Sequence, residues 1–270
     1  MEDHKEAAEP FTKDHLSMER MPGHWVLAQM GKRVLRPGGM ELTRAMLDAL
    51  AIGSTDRVVE LAPGLGATAA LTLARGPESY TAVERDQDAA ASVQRFVERH
   101  GGSCLRGTAE DTGLLGESAT VVYGEAMLTM QTSAHKAAIV REAARVLEQG
   151  GRYGIHELCL APDDLDEEVK ARVLADLSRE VHVGVRPLTL AEWRALLESE
   201  GLHVQWTQTA SMHLLEPRRL LRDEGLVGGL SFAFNVLCSP VARRRVRGMR
   251  RVFRAHKNHT YAVSLVATKQ

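Results

Sequence analysis

The chain lacks most of the features that would assign it to a class at sight. It has only three cysteines, Cys104, Cys159 and Cys238, too widely separated for a C-x-x-C. Neither a disulfide framework nor a zinc site is signalled, and the same spread gives no chelating spacing for a metalloid. Excess charge is missing too: 34 basic residues stand against 35 acidic ones, so the whole molecule has no field that draws it to nucleic acid. No run reaches the roughly 18 apolar residues of a membrane span. The opening MEDHKEAAEPFTKDH is charged where a secretory signal is apolar. The expectation is a cytoplasmic protein with no membrane span. Internal repeats and low-complexity linkers are also absent. What remains is a chain of 270 residues, 44% of them hydrophobic, which suits one elaborated domain around one sizeable core.

Residues 12 to 35 read as two helical pieces, one carrying Leu16 and Met18 and one carrying Val26, Met30 and Val34, with a break at Pro22-Gly23. KRVLRPGG (32–39) reads as a plain helix stop, and the next helix carries Leu42, Met46, Leu47 and Leu50. From Arg57 the pattern changes to short apolar runs alternating with helix-length segments. The runs are RVVELA (57–62), SYTAVE (79–84), CLRGT (104–108), ATVVYG (119–124) and RYGIHEL (152–158). Strands apolar for much of their length, separated by helices, signify a parallel sheet covered on both faces. After Pro162 an acidic helix (164–180), a helix N-capped by Thr189, the strand-like HVQWTQT (203–209) and the β-prone YAVSLVAT (261–268) complete the chain. The expected fold class is α/β: a Rossmann-like, doubly wound, mostly parallel sheet with helical additions at the N-terminus and in the C-terminal half. We expect a single domain over 1–270, with a helical lid at 1–52, a cofactor-binding core at 53–160, and a helical insert with closing strands at 161–270.

In VVELAPGLGATAALTLA a buried strand runs through a glycine-rich turn into a helix. Gly64 and Gly66 let the backbone approach a ligand with no Cβ in the way. Read as Gly64-x-Gly66-x-x-Ala69, the loop also fits the dinucleotide fingerprint. Glu60, near the end of the strand before the turn, bears on the choice, because a carboxylate compensates a cationic cofactor and repels a pyrophosphate. Glu84 ends the next strand, where a carboxylate reaches ribose hydroxyls in either kind of cofactor. Asp86 suits the N-cap of the helix that follows.

Together VVELAPGLGATA, YTAVERD, GTAED and EAARVLEQGGRYGIHEL resemble motifs I, II, III and the post-III segment of class I S-adenosylmethionine-dependent methyltransferases, in the methyltransferase type 11 group. The resemblance covers about residues 40 to 158. It implies S-adenosyl-L-methionine as cofactor and a seven-stranded sheet whose reversed edge is made by HVQWTQT and YAVSLVAT. It further implies that Glu60 and Gly64 serve the methionyl end, Glu84 the ribose, and Thr108 and Ala109 the adenine. Motif I departs from E-x-G-x-G-x-G by having Ala62 at the first glycine and Pro63 after it. Thr108 stands where the family often has an aspartate.

The implied activity is methyl transfer to a small-molecule acceptor by in-line displacement, which rests on alignment and water exclusion; orientation alone contributes roughly 7–11 kcal/mol. Glu125, at the fourth strand's end, is the first candidate for orienting the acceptor or taking its proton, with a carboxylate that caps the loop or pairs with an arginine as the alternative. His156 is a second catalytic candidate, and strand alternation sends it and Glu157 to opposite faces. His24 and Trp25, flanked by methionines, are candidates to close over the acceptor. The run ARRRVRGMRRVFRAHK (242–257) reads as a solvated helix face, or as a dock for a phosphorylated acceptor, a carrier protein or an acidic membrane surface. Base-reading aromatics are not interleaved with it, so no nucleic-acid partner is expected. No metal ligand set and no oligomeric state is indicated. Two other functions stay open at this level: a nicotinamide-dependent oxidoreductase, and a protein that binds S-adenosylmethionine without chemistry.

Overall fold

The computed structural model describes residues 17–212 and 215–270. Part of the first expected helical piece, residues 12–16, lies outside the described residues. Residues 18–20 form a turn rather than a helix, and the second piece is helical only as α1, Gly23–Gln29. Gly31, at φ +95°, is in a conformation no right-handed helix can continue through, so the chain leaves the helix before Val34. α2 follows at Gly39–Ala49.

From there strands and helices alternate as β1 (Arg57–Leu61), α3 (Ala67–Leu73), β2 (Ser79–Glu84), α4 (Gln87–Glu98), β3 (Ser103–Arg106), β4 (Ala119–Glu125), α5 (Ser133–Val146) and β5 (Leu147–Leu160). The second half adds α6 (Glu167–Val181), β6 (Leu188–Thr189), α7 (Leu190–Ser199), β7 (Leu202–Ser211), α8 (Pro217–Cys238), α9 (Pro240–Ala255) and β8 (Thr260–Lys269). Helix starts have local causes. Asp86 accepts from the backbone N–H groups of Asp88 and Ala89 at the head of α4, and Thr189 forms a capping box with Glu192 at the head of α7.

The sheet order is β3-β2-β1-β4-β5-β8-β7, with the two-residue β6 joined to β5. The expected reversed edge is corrected: β8 alone runs backwards, antiparallel to both β5 and β7. β7 is reached from β5 through helices, and such a crossover returns a strand parallel to its predecessor. Winding changes direction between β1 and β4, and a crevice opens at such a switch point, beyond the carboxyl ends of the strands.

Three apolar clusters set the layers. One face of the sheet packs Val59, Leu61 and Tyr153 against α5 and α7 through Ile139, Val140 and Trp193. The other packs Val58, Tyr80 and Tyr123 against α2 and α4 through Met46, Leu50 and Val93. The third joins α1, α6, α8 and α9 through Leu27, Leu177, Phe232 and Met249 and forms a cap. The expected lid at 1–52 is therefore divided: α1 belongs to the cap, while α2 packs on the sheet. The basic run is also more than a solvated face, because Ala242, Arg245, Met249 and Val252 of α9 are buried. Arg245 donates to the carbonyl oxygens of Met18 at 3.1 Å, Glu19 at 2.9 Å and Met21 at 3.0 Å, tying the chain before α1 to the cap.

Candidate functional site

A cavity of about 740 Å³ runs from the switch point to the underside of the cap. At its sheet end the turn after β1 presents Ala62, Gly64 and Leu65. Gly64 holds φ +59°, and a Cβ there would meet nothing within 4 Å, so the turn faces open space. Ala62 adopts a left-handed backbone, at φ +53°, at a penalty of about 1–2 kcal/mol. Its N–H donates to Val83 O at 2.8 Å, which holds it there. Glu84 lines the same end and is buried. Its Oε2 accepts from the Gly64 N–H at 3.1 Å and its Oε1 from the Asp86 N–H at 2.9 Å. Each oxygen is thus oriented and retains a lone pair for a ligand. Thr108 and Ala109, after β3, line the wall beside it.

Beneath the middle of the cavity lies a network around Glu125, whose side chain is 6% exposed. Its Oε2 is 2.8 Å from Arg36 Nη1 and accepts from Thr68 Oγ1 at 2.5 Å. Its Oε1 accepts from Thr43 Oγ1 at 2.6 Å and lies 2.7 Å from His156 Nδ1. His156 Nε2 in turn lies 2.5 Å from the Pro37 carbonyl oxygen. Burial alone would raise the Glu125 carboxyl, but Arg36, then His156 and Thr43, outweigh it and hold it at about 2. A carboxylate so held is a poor proton acceptor at neutral pH. The structure thus favours the arginine-paired reading of Glu125. Arg36 lines the cavity, and its Nε is buried with no hydrogen-bond partner among the described residues.

Glu60 is not among the lining residues. Alternation along β1 turns it to the α2 side, where the hydroxyls of Tyr123, at 2.6 Å, and of Tyr80 donate to its Oε2. Burial outweighs those bonds and raises its carboxyl to about 7. Glu157 points to the opposite face from His156, as alternation predicts, and accepts from the N–H groups of Met127, Leu128 and Thr129 at 2.8–3.0 Å.

The cap end of the cavity is apolar, with walls from Trp25 and Leu27 of α1, Leu177 and Val181 of α6, and Met249 and Phe253 of α9. His24 and Trp25 both line it, with ring centroids 4.9 Å apart. Of the residues singled out from sequence, Ala62, Gly64, Glu84, Thr108, Ala109, Glu125, His24 and Trp25 therefore converge on one cavity, whereas Glu60, Gly66 and His156 lie behind its lining. Arg36 was missed, because RPGG carries only the signal of a helix stop. The α6 and α9 walls were missed as well; their apolar spacing is that of any packed helix.

Residues 59–155 match the family model described as a methyltransferase domain. An uncharacterized protein of Haemophilus influenzae is 29% identical over 247 residues, 89% of this chain and 96% of that one. Among solved structures, phosphoethanolamine N-methyltransferase 2 of Haemonchus contortus, in complex with phosphomonomethylethanolamine and S-adenosylhomocysteine, superposes with a TM-score of 0.70 at 14% identity, over 92% of this chain and 57% of that chain. A geranyl diphosphate methyltransferase in complex with S-adenosylmethionine gives 0.62 at 14% identity, over 84% of each chain.

Proposed function

We propose, on the premise that residues 59–155 form a methyltransferase domain and the chain is an S-adenosyl-L-methionine-dependent methyltransferase, that its acceptor is a small molecule with an apolar body. The observation that carries this reading is the two-ended cavity. At about 740 Å³ it lies within the roughly 300–1,000 Å³ of small-molecule sites. Its sheet end suits the nucleoside, and its cap end offers Leu177, Val181, Met249 and Phe253 to the acceptor.

The sheet end fits the cofactor on three counts. Gly64 faces open space, Glu84 presents two oriented oxygens to vicinal hydroxyls, and the orphaned Arg36 Nε suits the methionyl carboxylate. In this assignment Glu84 holds the ribose, Thr108 and Ala109 border the adenine, and the backbone of Ala62 and Gly64 borders the methionyl chain. Glu60 supports from behind through Tyr80 and Tyr123 and touches no ligand. When bound, S-adenosyl-L-methionine supplies an electrophilic methyl group on a sulfonium. The protein's task is alignment and the exclusion of water: α1 closes the cavity, with Trp25 and His24 against the acceptor, while Glu125 and His156 fix Arg36 and do not themselves move a proton. Core and cap share the cavity, so the chain works as one unit.

Calorimetric titration with S-adenosylmethionine, S-adenosylhomocysteine and NAD tests the cofactor half of this reading. The wild type should bind the two sulfur nucleosides. Glu84→Ala should weaken both by at least about tenfold, since charge-assisted hydrogen bonds contribute roughly 1.5–3 kcal/mol each and about 1.4 kcal/mol is one decade. An acceptor screen read by S-adenosylhomocysteine release tests the other half. A preference for NAD would sink the cofactor assignment, and turnover confined to polar or macromolecular acceptors would sink the acceptor class.

A further inference from the structure

The second half of α8 shows a face that the fold does not use. Gly225, at φ +73°, breaks the helix in two. The first half is tied to the N-terminal part of the molecule by charge: Arg222 pairs with Glu41, the Asp223 carboxylate accepts from Met40 N–H, and Glu224 lies 3.3 Å from Lys32 Nζ. Beyond the break, Leu226, Val227, Leu230, Phe234 and Leu237 are 62–83% exposed. Leu226, Leu230, Phe234 and Leu237 recur at four-, four- and three-residue spacing, which puts them on one helical stripe. The opposite side of the same helix is committed inward: Phe232 is buried in the cap, and Asn235 Nδ2 donates to Met30 O at 3.1 Å. The stripe therefore faces outward because the helix is held in that orientation.

Charge completes the pattern. No acidic residue occurs from Gly225 to Gln270, and eight basic ones lie between Leu226 and Lys257. α9 begins at once after α8, and the pair is bent by 114°. Its inner side supplies Met249 and Phe253 to the cavity. Some of its arginines are occupied, Arg244 by Glu19 and both Arg250 and Arg254 by Glu216. Arg243, Arg247, Arg251 and Lys257 form no ion pair among the described residues.

We propose that the outward stripe of α8 and the free cations of α9 together dock the protein on the surface of an anionic lipid bilayer, with α8 lying in the interface. An apolar helical face flanked by arginines is what such a surface recognises, the acyl boundary taking the apolar residues and the headgroups the cations. Leu226 to Cys238 covers about 20 Å at 1.5 Å per residue, short of the ~30 Å hydrocarbon core, so this stretch by itself lies in an interface and does not span it. No single helix among the described residues is long and apolar enough to cross a membrane. A purely apolar partner surface would account for the stripe but not for the unpaired cations of the helix that follows it. Docking here sets the bilayer against the outer side of the cap, beneath which lies the apolar end of the cavity.

The test is co-sedimentation of the full chain with phosphatidylcholine vesicles, with and without about a third phosphatidylglycerol. Binding should require the anionic lipid. It should fall when salt rises from about 0.1 to about 1 M, as the Debye length shrinks from about 10 to about 3 Å. Leu230→Asp with Phe234→Asp, and separately Arg247→Glu with Arg251→Glu, should each weaken it by at least about tenfold, while the melting temperature and S-adenosylmethionine binding stay at wild-type values. The readout needs no methyl transfer, so its outcome is separate from that of the acceptor assignment. Absence of vesicle binding, equal binding to neutral vesicles, or variants that bind like the wild type would each overturn the proposal. So would a wild-type dimer that the Leu230 and Phe234 changes dissolve, with no affinity for vesicles, because the stripe would then belong to a second copy.

Discussion

Replacing Glu60 by glutamine separates a carboxylate that touches the ligand from one that supports the sheet. In the folded chain its carboxyl is raised from 4.5 to about 7, because burial outweighs the bonds donated by Tyr123 and Tyr80. A raised carboxyl binds its proton more tightly folded than unfolded. Its stabilising contribution is therefore complete below pH about 4.5 and is lost as pH rises through about 7. Each pH unit is 1.36 kcal/mol, so the difference between pH about 5 and pH about 8 amounts to roughly 2–3 kcal/mol. Glutamine keeps the shape, and its amide oxygen can accept both tyrosine hydroxyls without ionising. The stability of Glu60→Gln relative to wild type should therefore climb by roughly 2–3 kcal/mol from pH about 5 to pH about 8. Urea unfolding at the two pH values measures this, and all other titrating groups cancel in the difference. Binding of S-adenosylmethionine should change by less than about threefold. A difference independent of pH would refute the electrostatic reasoning, and a loss of binding of tenfold or more would place the carboxylate at the ligand after all.

Glu125→Gln should behave in the opposite sense. Its carboxyl is depressed to about 2, so its contribution is present above pH about 4.5 and fades as pH falls toward 2; the variant should lose about 3–5 kcal/mol at neutral pH, with an acid limb of the unfolding profile flatter than wild type. A stable variant that has lost only turnover would restore Glu125 as a catalytic group. Arg36→Lys keeps the cation beside Glu125 but removes Nε, and should weaken S-adenosylmethionine at least about tenfold while leaving adenosine, which has no carboxylate, unaffected; equal losses for both ligands would mean a collapsed site.

What was legible in the sequence has local causes. Asp86 caps α4 through N–H groups two and three residues on, Thr189 closes its box with Glu192, and Glu84 stands at the carboxyl end of its own strand, β2. The orientation of Glu60 was not local. It is set by Tyr80 and Tyr123 on the two strands that flank β1, and a one-residue shift in the pleat would have put the carboxylate on the other face. Arg36 is a stronger case, since its partner Glu125 lies on a different layer, 89 residues later in the chain. Leu230 and Phe234 present the same difficulty in reverse. Their spacing is that of a core helix, and only the tertiary positions of Phe232 and Asn235, both turned inward, determine which apolar side of α8 is left in contact with water. A hydrophobic period reports that a helix has an apolar face, but the partner for that face has to be found elsewhere. Where the described residues supply none and the neighbouring helix carries unpaired arginines, the partner has to be sought outside the chain.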